Sequence, residues 1–209
     1  MDREFWEKEW LDSTDIASTY YLMLELPQLE KALDIGCGDW KYAEFFYSRN
    51  DFTVGCDIAF NALKKAKDNS SLHKQKIDLV QCDARYLPFR ENSFDGVVSV
   101  ETLTLTGQDH RKVLEEMYRV TRDYLNFNVT HAESLPREKQ KAEIDRVAFD
   151  ENELIVLIKS LSLERFSISV LTESEVENLG VPFYHQVYVP DGDKKKVIWV
   201  VARKGSLLI

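Results

Sequence analysis

The chain has few cysteines and no long apolar run, and these two absences limit the class of protein it can be. Only three of its 209 residues are cysteine, Cys37, Cys56 and Cys82, and they lack the paired spacing of a zinc site. This sparse, odd set favours reduced thiols and a cytoplasmic protein. No apolar stretch approaches the roughly 20 residues that cross a bilayer, and the charged start MDREFWEKEW differs from a signal peptide. We expect a soluble protein with no membrane partner and no metal site.

Positive charge is also scarce. The chain has 27 Lys and Arg against 36 Asp and Glu, a formal net charge of −9, and this argues against nucleic acid as the main partner. Its 44% hydrophobic and 11% aromatic content is that of an ordinary globular protein. The length suits one domain, and we find no repeat, linker or low-complexity tract. We therefore predict a single domain over residues 1–209.

Predicted strands and helices alternate for most of the length, which indicates a parallel sheet wrapped by helices. The apolar patterns predict strands at 32–35, 52–56, 77–81, 94–100, 124–129, 163–170, 184–189 and 197–202, and helices at 2–10, 15–26, 40–48, 59–67, 108–121 and 151–159. We expect a polar loop at 68–76. The charged residues 133–143 suit either a solvated helix or a mobile cover. The turn at 190–193 predicts a final antiparallel hairpin.

Polar or glycine residues close three consecutive predicted strands. Asp34, Gly36 and Gly38 end the first, Asp57 ends the second and Asp83 ends the third. Glycines in a strand-to-helix turn allow a ligand to approach the backbone, and a carboxylate beside them can accept from an ammonium group or a water. A carboxylate after the second strand can accept hydrogen bonds from the two hydroxyls of a ribose. Each feature alone is more often a turn or a cap, but together they indicate a ligand crevice at the carboxyl edge of the sheet.

These segments resemble class I S-adenosylmethionine (SAM)-dependent methyltransferases. LDIGCG, at 33–38, resembles the family's glycine motif, and Asp57 in GCDIAFNALKKAK is similar to its ribose-binding acid. Asp83-Ala84 is similar to the pair beside the adenine. FDGVV, at 94–98, resembles the fourth strand, and EEMYRV, at 115–120, the helix before the fifth. The resemblance covers residues 31–130 well and the final hairpin loosely.

The resemblance implies a Rossmann-like α/β fold. The expected sheet is doubly wound and mostly parallel, with an antiparallel last strand, the order 3-2-1-4-5-7-6 and helices on both faces. Within it, residues 1–30 would form a helical cap, 31–130 the SAM-binding core and 131–209 a C-terminal part with the hairpin. The residues implied to contact SAM, or its product S-adenosylhomocysteine (SAH), are Asp34, Gly36, Cys37, Gly38, Asp57, Ile58, Asp83, Ala84 and Val100.

Three features depart from the family pattern. Trp40 occupies the third small position of the glycine motif, where its indole would either narrow the pocket or turn into the core. The turn at 121–124 replaces the usual Lys-Pro-Gly-Gly-like sequence. No Asn/Asp-Pro-Pro-aromatic tetrad follows the fourth strand, which disfavours methylation of adenine or glutamine amino groups.

Methyl transfer needs alignment of the reacting atoms and exclusion of water, and a base only where the acceptor loses a proton. Glu101 follows the fourth predicted strand and His131 the fifth, so each is either a catalytic residue or an exposed loop side chain. The aromatic residues Trp10, Tyr20 and Tyr21 belong either to a packed helix face or to a lid over SAM.

We therefore expect an enzyme that methylates a small, neutral or cationic molecule with SAM. Two alternatives stay open: a methyltransferase of protein or RNA, and an inactive SAM-binding partner protein. An NAD-type oxidoreductase fits less well, because Lys41 replaces the last glycine of its Gly-x-Gly-x-x-Gly turn and Asp34 has no role in it.

Overall fold

The computed structural model describes residues 2–12, 27–40, 50–72, 77–134, 146–163, 165–172 and 196–204. The helices there are α1 (Arg3–Asp12), α2 (Phe60–Leu72), α3 (His110–Val120) and α4 (Glu151–Ser160). The strands are β1 (Leu29–Ile35), β2 (Asn50–Asp57), β3 (Asp78–Gln81), β4 (Phe94–Ser99), β5 (Thr121–Thr130), β6 (Arg165–Thr172) and β7 (Lys196–Arg203). Two 3-10 segments, Leu103–Asp109 and Ala132–Ser134, follow β4 and β5.

These strands form one sheet in the order β3-β2-β1-β4-β5-β7-β6. Neighbouring strands from β3 across to β5 are parallel, whereas β7 is antiparallel to both β5 and β6. The chain moves outward from β1 to β3 and then crosses back to β4. Because the direction of winding reverses between β1 and β4, a crevice opens there beyond the carboxyl ends of the strands.

Each face of the sheet carries its own apolar core. Leu33 and Val97 pack on one face with side chains of α3 and α4. Their chain neighbours Ala32 and Val98 point to the opposite face, which packs against α2. Successive strand residues alternate between the faces, so both layers are built from the same buried strands. The predicted strand order and the predicted helices on both faces are confirmed.

The element bounds differ from the sequence predictions at a few places. Helix α2 continues to Leu72, through part of the predicted loop 68–76, and Asn69 Nδ2 donates to the backbone oxygen of Asp39 at 2.8 Å. This tertiary bond stabilises a polar last turn that its own sequence favours weakly. The predicted strand 163–170 is observed as Arg165–Thr172. The predictions for 15–26, 41–48, 135–143 and 184–189 lie outside the described residues.

No helix in the described part of the chain is both long enough and apolar enough to cross a membrane.

Candidate cofactor and active site

The turn after β1 has three left-handed residues at alternating positions. Gly36, Gly38 and Trp40 have φ angles of 72°, 55° and 62°. Glycine adopts this conformation without steric cost, whereas an indole-bearing residue is strained there. The backbone of the glycine motif is therefore kept at its third position although the residue is tryptophan.

The side chains of Thr102 and Trp10 occupy the space that a Cβ would need at the two glycines. A Cβ at Gly36 would overlap Thr102, whose hydroxyl donates to the Ile35 carbonyl at 3.1 Å. A Cβ at Gly38 would lie 2.8 Å from the ring of Trp10. The close approach that the sequence predicts for a ligand is thus made, in this structure, by a threonine after β4 and a tryptophan of α1.

Trp40 is buried in the core beneath β2. Its ring would lie 2.7 Å from a Cβ added at Gly55, and only 1% of its surface is exposed. Of the two alternatives that the sequence left open, the structure supports a core side chain over one that narrows the pocket.

Asp57, at the end of β2, joins the glycine turn to α2. Its Oδ2 accepts from the Gly38 amide at 3.0 Å and its Oδ1 from the Ala59 amide at 2.9 Å. Burial raises the pKa of Asp57 to about 6, against the lowering effect of these amides. Since a carboxylate has about four acceptor positions, the side chain keeps capacity for further donors such as ribose hydroxyls.

Asp34 is a buried carboxyl group at the end of β1. Within the described residues its Oδ2 has no hydrogen-bond partner, and 2% of the residue is exposed. Burial, with a further contribution from the charge of Asp57, raises the pKa of Asp34 to about 8. A buried polar atom without a partner costs free energy, so this site suits a donor or a cation supplied by a ligand.

Asp83, after β3, is held by Arg85, a residue outside the sequence motifs. Arg85 Nε lies 3.1 and 3.0 Å from the two Asp83 oxygens, and Arg85 Nη1 donates to Asp109 at 2.8 Å. The hydrogen bonds and charge of Arg85 lower the pKa of Asp83, although burial opposes them. Asp83 is therefore ionised and fixed beside Ala84, which is buried.

The remaining predicted cofactor contacts lie along the same edge. Cys37 is buried in the glycine turn, and its amide donates to the Cys56 carbonyl at 3.0 Å. Ile58 follows Asp57 and accepts through its backbone oxygen from Gln81 Nε2 at 3.0 Å. Val100 is buried directly after β4. The structure brings these residues to one edge of the sheet, as the sequence predicts.

Glu101 has a strained backbone at the mouth of the crevice. Its φ angle is 59°, and its amide donates to Asn128 Oδ1 of β5 at 2.5 Å. A non-glycine residue is strained in this conformation, and here the bond to Asn128 holds it. Asn128 is buried within β5, where it alternates with the apolar residues Phe127 and Val129, and this placement is the signal that could have identified Asn128 from the sequence.

His131 lies just beyond β5 and is buried. Its Nδ1 accepts from the Glu133 amide at 3.1 Å, and its Nε2 lies 3.3 Å from Glu151 Oε2 of α4. The first contact assigns the ring proton to Nε2. Both nitrogens are thus engaged by the chain itself.

The thiols and other metal-ligating side chains do not form a metal site in the described part of the chain, where no group of three His, Cys, Asp or Glu could hold an ion. Cys37, Cys56 and Cys82 are free thiols. Burial raises the pKa of Cys37, and a hydrogen bond with Cys82, together with burial, raises that of Cys56.

Part of the chain is similar to known methyltransferases. Residues 33–124 match the family model described as a methyltransferase domain. The chain is 36% identical over 97 residues to the demethylmenaquinone methyltransferase of Oceanobacillus iheyensis, a match covering 44% of this chain and 40% of that protein. It is 31% identical over 99 residues to a tRNA (carboxymethyluridine(34)-5-O)-methyltransferase of Arabidopsis thaliana, covering 46% and 22%. The chain spans less than half the length of these curated relatives.

Solved structures share the fold. A SAM-dependent methyltransferase from Methanosarcina mazei aligns with a TM-score of 0.65 at 20% identity, over 90% of this chain and 99% of that one. An N-methyltransferase from Haemonchus contortus, in complex with phosphomonomethylethanolamine and SAH, aligns with a TM-score of 0.70 at 17% identity, over 96% and 56%. The resemblance to class I SAM-dependent methyltransferases is confirmed, and SAM is the cofactor that the family implies.

Two carboxyl groups of the crevice suit that cofactor. Asp34 offers a buried acceptor without a described partner, suited to an ammonium group, and Asp57 retains acceptor capacity for hydroxyls.

Proposed function

We propose that this chain, whose residues 33–124 are a methyltransferase domain, transfers the methyl group of SAM to a small-molecule acceptor. The observation that carries the proposal is the pair of buried carboxyl groups, Asp34 and Asp57, at the ends of neighbouring strands. Both adjoin a left-handed glycine turn at the point where the sheet reverses its winding.

The proposed cofactor contacts follow from the donors and acceptors at this edge. Asp34 would accept from the ammonium group of SAM and Asp57 from its ribose hydroxyls. Asp83, held by Arg85, and Ala84 would border the adenine, with Ile58 and Val100 as apolar contacts. Gly36, Cys37 and Gly38 form the turn between them. When bound, SAM supplies an electrophilic methyl group on a sulfonium centre.

The catalytic contribution of the chain is mainly alignment and exclusion of water. Glu101 is proposed to face the acceptor and to take a proton from it where the acceptor loses one. Its left-handed backbone and the bond from its amide to Asn128 fix the start of its side chain. His131 is proposed to position the end of β5 against α4, because accepting a proton at Nδ1 would break its bond with the Glu133 amide.

A small acceptor is favoured over RNA by the net charge of −9, since phosphate contacts require a concentration of Lys and Arg. The two relatives differ on this point, because one is a demethylmenaquinone and the other a tRNA methyltransferase. Protein and RNA acceptors are therefore separate arms of the test.

The test supplies methyl-tritiated SAM together with a cell extract divided into small-molecule ultrafiltrate, RNA and protein. We expect label in the ultrafiltrate, and we expect Asp57→Asn and Glu101→Gln to reduce its rate of appearance. Label in the RNA or protein fraction would contradict a small acceptor. Tight SAH binding with no label in any fraction would favour an inactive SAM-binding protein.

A further inference from the structure

The carboxylate of Glu7 in helix α1 bonds to the first turn of α2, and Lys65 of α2 lies over the Trp10 ring of α1, 5.9 Å from its centroid. Glu7 Oε1 accepts from the Phe60 amide at 2.9 Å, and Glu7 Oε2 accepts from the Asn61 amide at 3.0 Å. Asn61 Nδ2 returns a bond to the Glu7 backbone oxygen at 3.0 Å, and Gln81 Nε2 lies 3.4 Å from Glu7 Oε1. One side chain of α1 thus contacts both α2 and the end of β3.

These contacts have a clear physical basis. The first amides of a helix have no partner within the helix, and they lie at its positive end. A carboxylate that accepts from two of them makes charge-assisted hydrogen bonds. Burial would raise the pKa of Glu7, but the bonds from Asn61 and Phe60 and the charge of Arg3 lower it overall. Glu7 is therefore ionised at neutral pH, as these bonds require.

The contact made by Glu7 belongs to a closed circuit around the ribose side of the crevice. Trp10 lies one helical turn after Glu7, on the same face of α1, and its ring packs against Gly38. The Gly38 amide donates to Asp57, and Asp57 also accepts from the amide of Ala59, the residue before Phe60. Phe60 then donates to Glu7. The circuit thus consists of three hydrogen bonds, the packing of Trp10 on Gly38, and two connections along the chain.

From this circuit we infer that Glu7 is a positioning residue that fixes α1 across the cofactor crevice and holds Trp10 against the glycine turn. The inference rests on the proposed function, because the crevice is taken to bind SAM. The inference has a consequence for the release of SAH, the product formed from the cofactor. SAH leaves the closed crevice only after α1 has separated from α2, so the bonds of Glu7 limit the rate of dissociation.

The docking itself is measured in the ligand-free protein by hydrogen exchange. We expect Glu7→Ala to increase exchange at the Phe60 and Asn61 amides roughly tenfold, the effect of losing charge-assisted bonds. Glu7→Gln retains one acceptor oxygen and should give an intermediate increase. Glu4→Ala is the matched control, because Glu4 is an exposed residue of the same helix, and it should leave both amides unchanged.

The role at the crevice is measured by stopped-flow dissociation of SAH. We expect Glu7→Ala to raise the dissociation rate roughly tenfold, with Glu7→Gln between it and the unmodified protein. Trp10→Leu should raise the dissociation rate without raising exchange at Phe60 and Asn61. Circular dichroism verifies that each variant is folded.

The outcomes separate the inference from the proposed function. Unchanged SAH dissociation in Glu7→Ala, or an equal increase in Glu4→Ala, would overturn the role of Glu7. Tighter SAH binding by Glu7→Ala would also overturn it, because α1 would then block the crevice. If the unmodified protein binds no SAH, the proposed function fails, and the exchange data alone still decide whether Glu7 holds α1.

Discussion

At position 40 a tryptophan takes the left-handed backbone that the third residue of the glycine motif requires. The conformation costs on the order of 1–3 kcal/mol for a non-glycine residue, and the burial of an indole offsets a cost of this size. Gly55 on β2 makes the burial feasible, because the ring occupies the space where a Cβ would lie. The two residues therefore form one packing unit, although they are 15 positions apart in the sequence.

The packing unit predicts the effect of Gly55→Ala. The new methyl group would lie 2.7 Å from Trp40 and 2.9 Å from Cys37 Sγ, so we expect overpacking to cost about 1–3 kcal/mol in the free energy of unfolding. Urea denaturation measures this value. Gly96→Ala is the control, since its new methyl group meets the end of the Leu29 side chain, which can rotate away. Equal losses in both variants would contradict the account, as would failure of Trp40→Leu to relieve Gly55→Ala.

Asp34 predicts a dependence of stability on pH. Burial raises the pKa of Asp34 to about 8 in the folded state, far above its ordinary value, so the folded protein binds this proton more tightly. The stabilisation is complete below about pH 4 and is lost as the pH rises toward 8. From Asp34 alone we expect the ligand-free protein to lose on the order of 2–5 kcal/mol between those limits. Asp34→Asn should keep only the smaller loss, below about pH 6, that comes from Asp57.

Urea denaturation at several pH values between 5 and 8.5 measures the difference. Asp78→Asn, a change at an exposed position of β3, should behave as the unmodified protein does. A parallel decline in Asp34→Asn would show that Asp34 is not the group responsible.

Single residues also show where the sequence sufficed. Asp34, Asp57 and Asp83 were predictable, because a residue that ends a parallel strand lies at one known edge of the sheet. Arg85 and Glu7 were not. Arg85 lies two positions from Asp83, but its second partner Asp109 is 24 positions away, and Phe60, a partner of Glu7, is 53 positions away. The local pattern of a sequence does not indicate these two longer contacts.

At the scale of elements, α3 fixes the segment 87–89, which follows Asp83 and Ala84 in the chain. Arg119 Nη1 and Nη2 donate to the carbonyls of Phe89 and Leu87 at 2.8 and 3.0 Å. Glu116 Oε2 accepts from the Leu87 amide at 2.8 Å and is itself bonded to Arg119. Two residues of one helix thus provide backbone partners for a segment that pairs with none of the described strands.

We expect Arg119→Gln to destabilise the protein by about 1.5–3 kcal/mol, because it removes charged donors from two carbonyls. Thermal or urea denaturation measures the loss. Arg111→Gln removes an exposed ion pair with Glu115 on the same helix and should cost about 0–1 kcal/mol. Equal values for the two variants would contradict the structural role of Arg119.

The elements themselves were largely predictable from periodicity, and their ends less so. Helix α3 has Val113, Leu114 and Met117 on one buried face, a pattern that is visible in the sequence. The end of α2 was placed too early, because its last turn is stabilised by the bond from Asn69 to Asp39. Helix ends depend on tertiary partners more than helix centres do.

At the scale of the whole molecule, the strand order of the sheet was predicted from the resemblance to a known family and not from the periodicity of the sequence. Alternating strands and helices indicate a parallel sheet, but they do not assign β7 between β5 and β6, where the structure has it. The antiparallel β7 lies between β5 and the edge strand β6, and it pairs with β5, the strand that carries Asn128. The crevice between β1 and β4 then lies at the centre of the sheet, with α1 across one side and Glu101 on the other.

The central claim is that this crevice binds SAM and its product, and calorimetric titration of SAH into the unmodified protein and Asp57→Asn tests it most directly. The account predicts saturable binding by the unmodified protein and roughly a tenfold or larger loss of affinity in Asp57→Asn, because the neutral amide loses charge-assisted bonds. Absence of binding by the unmodified protein, or equal affinity in Asp57→Asn, would contradict it.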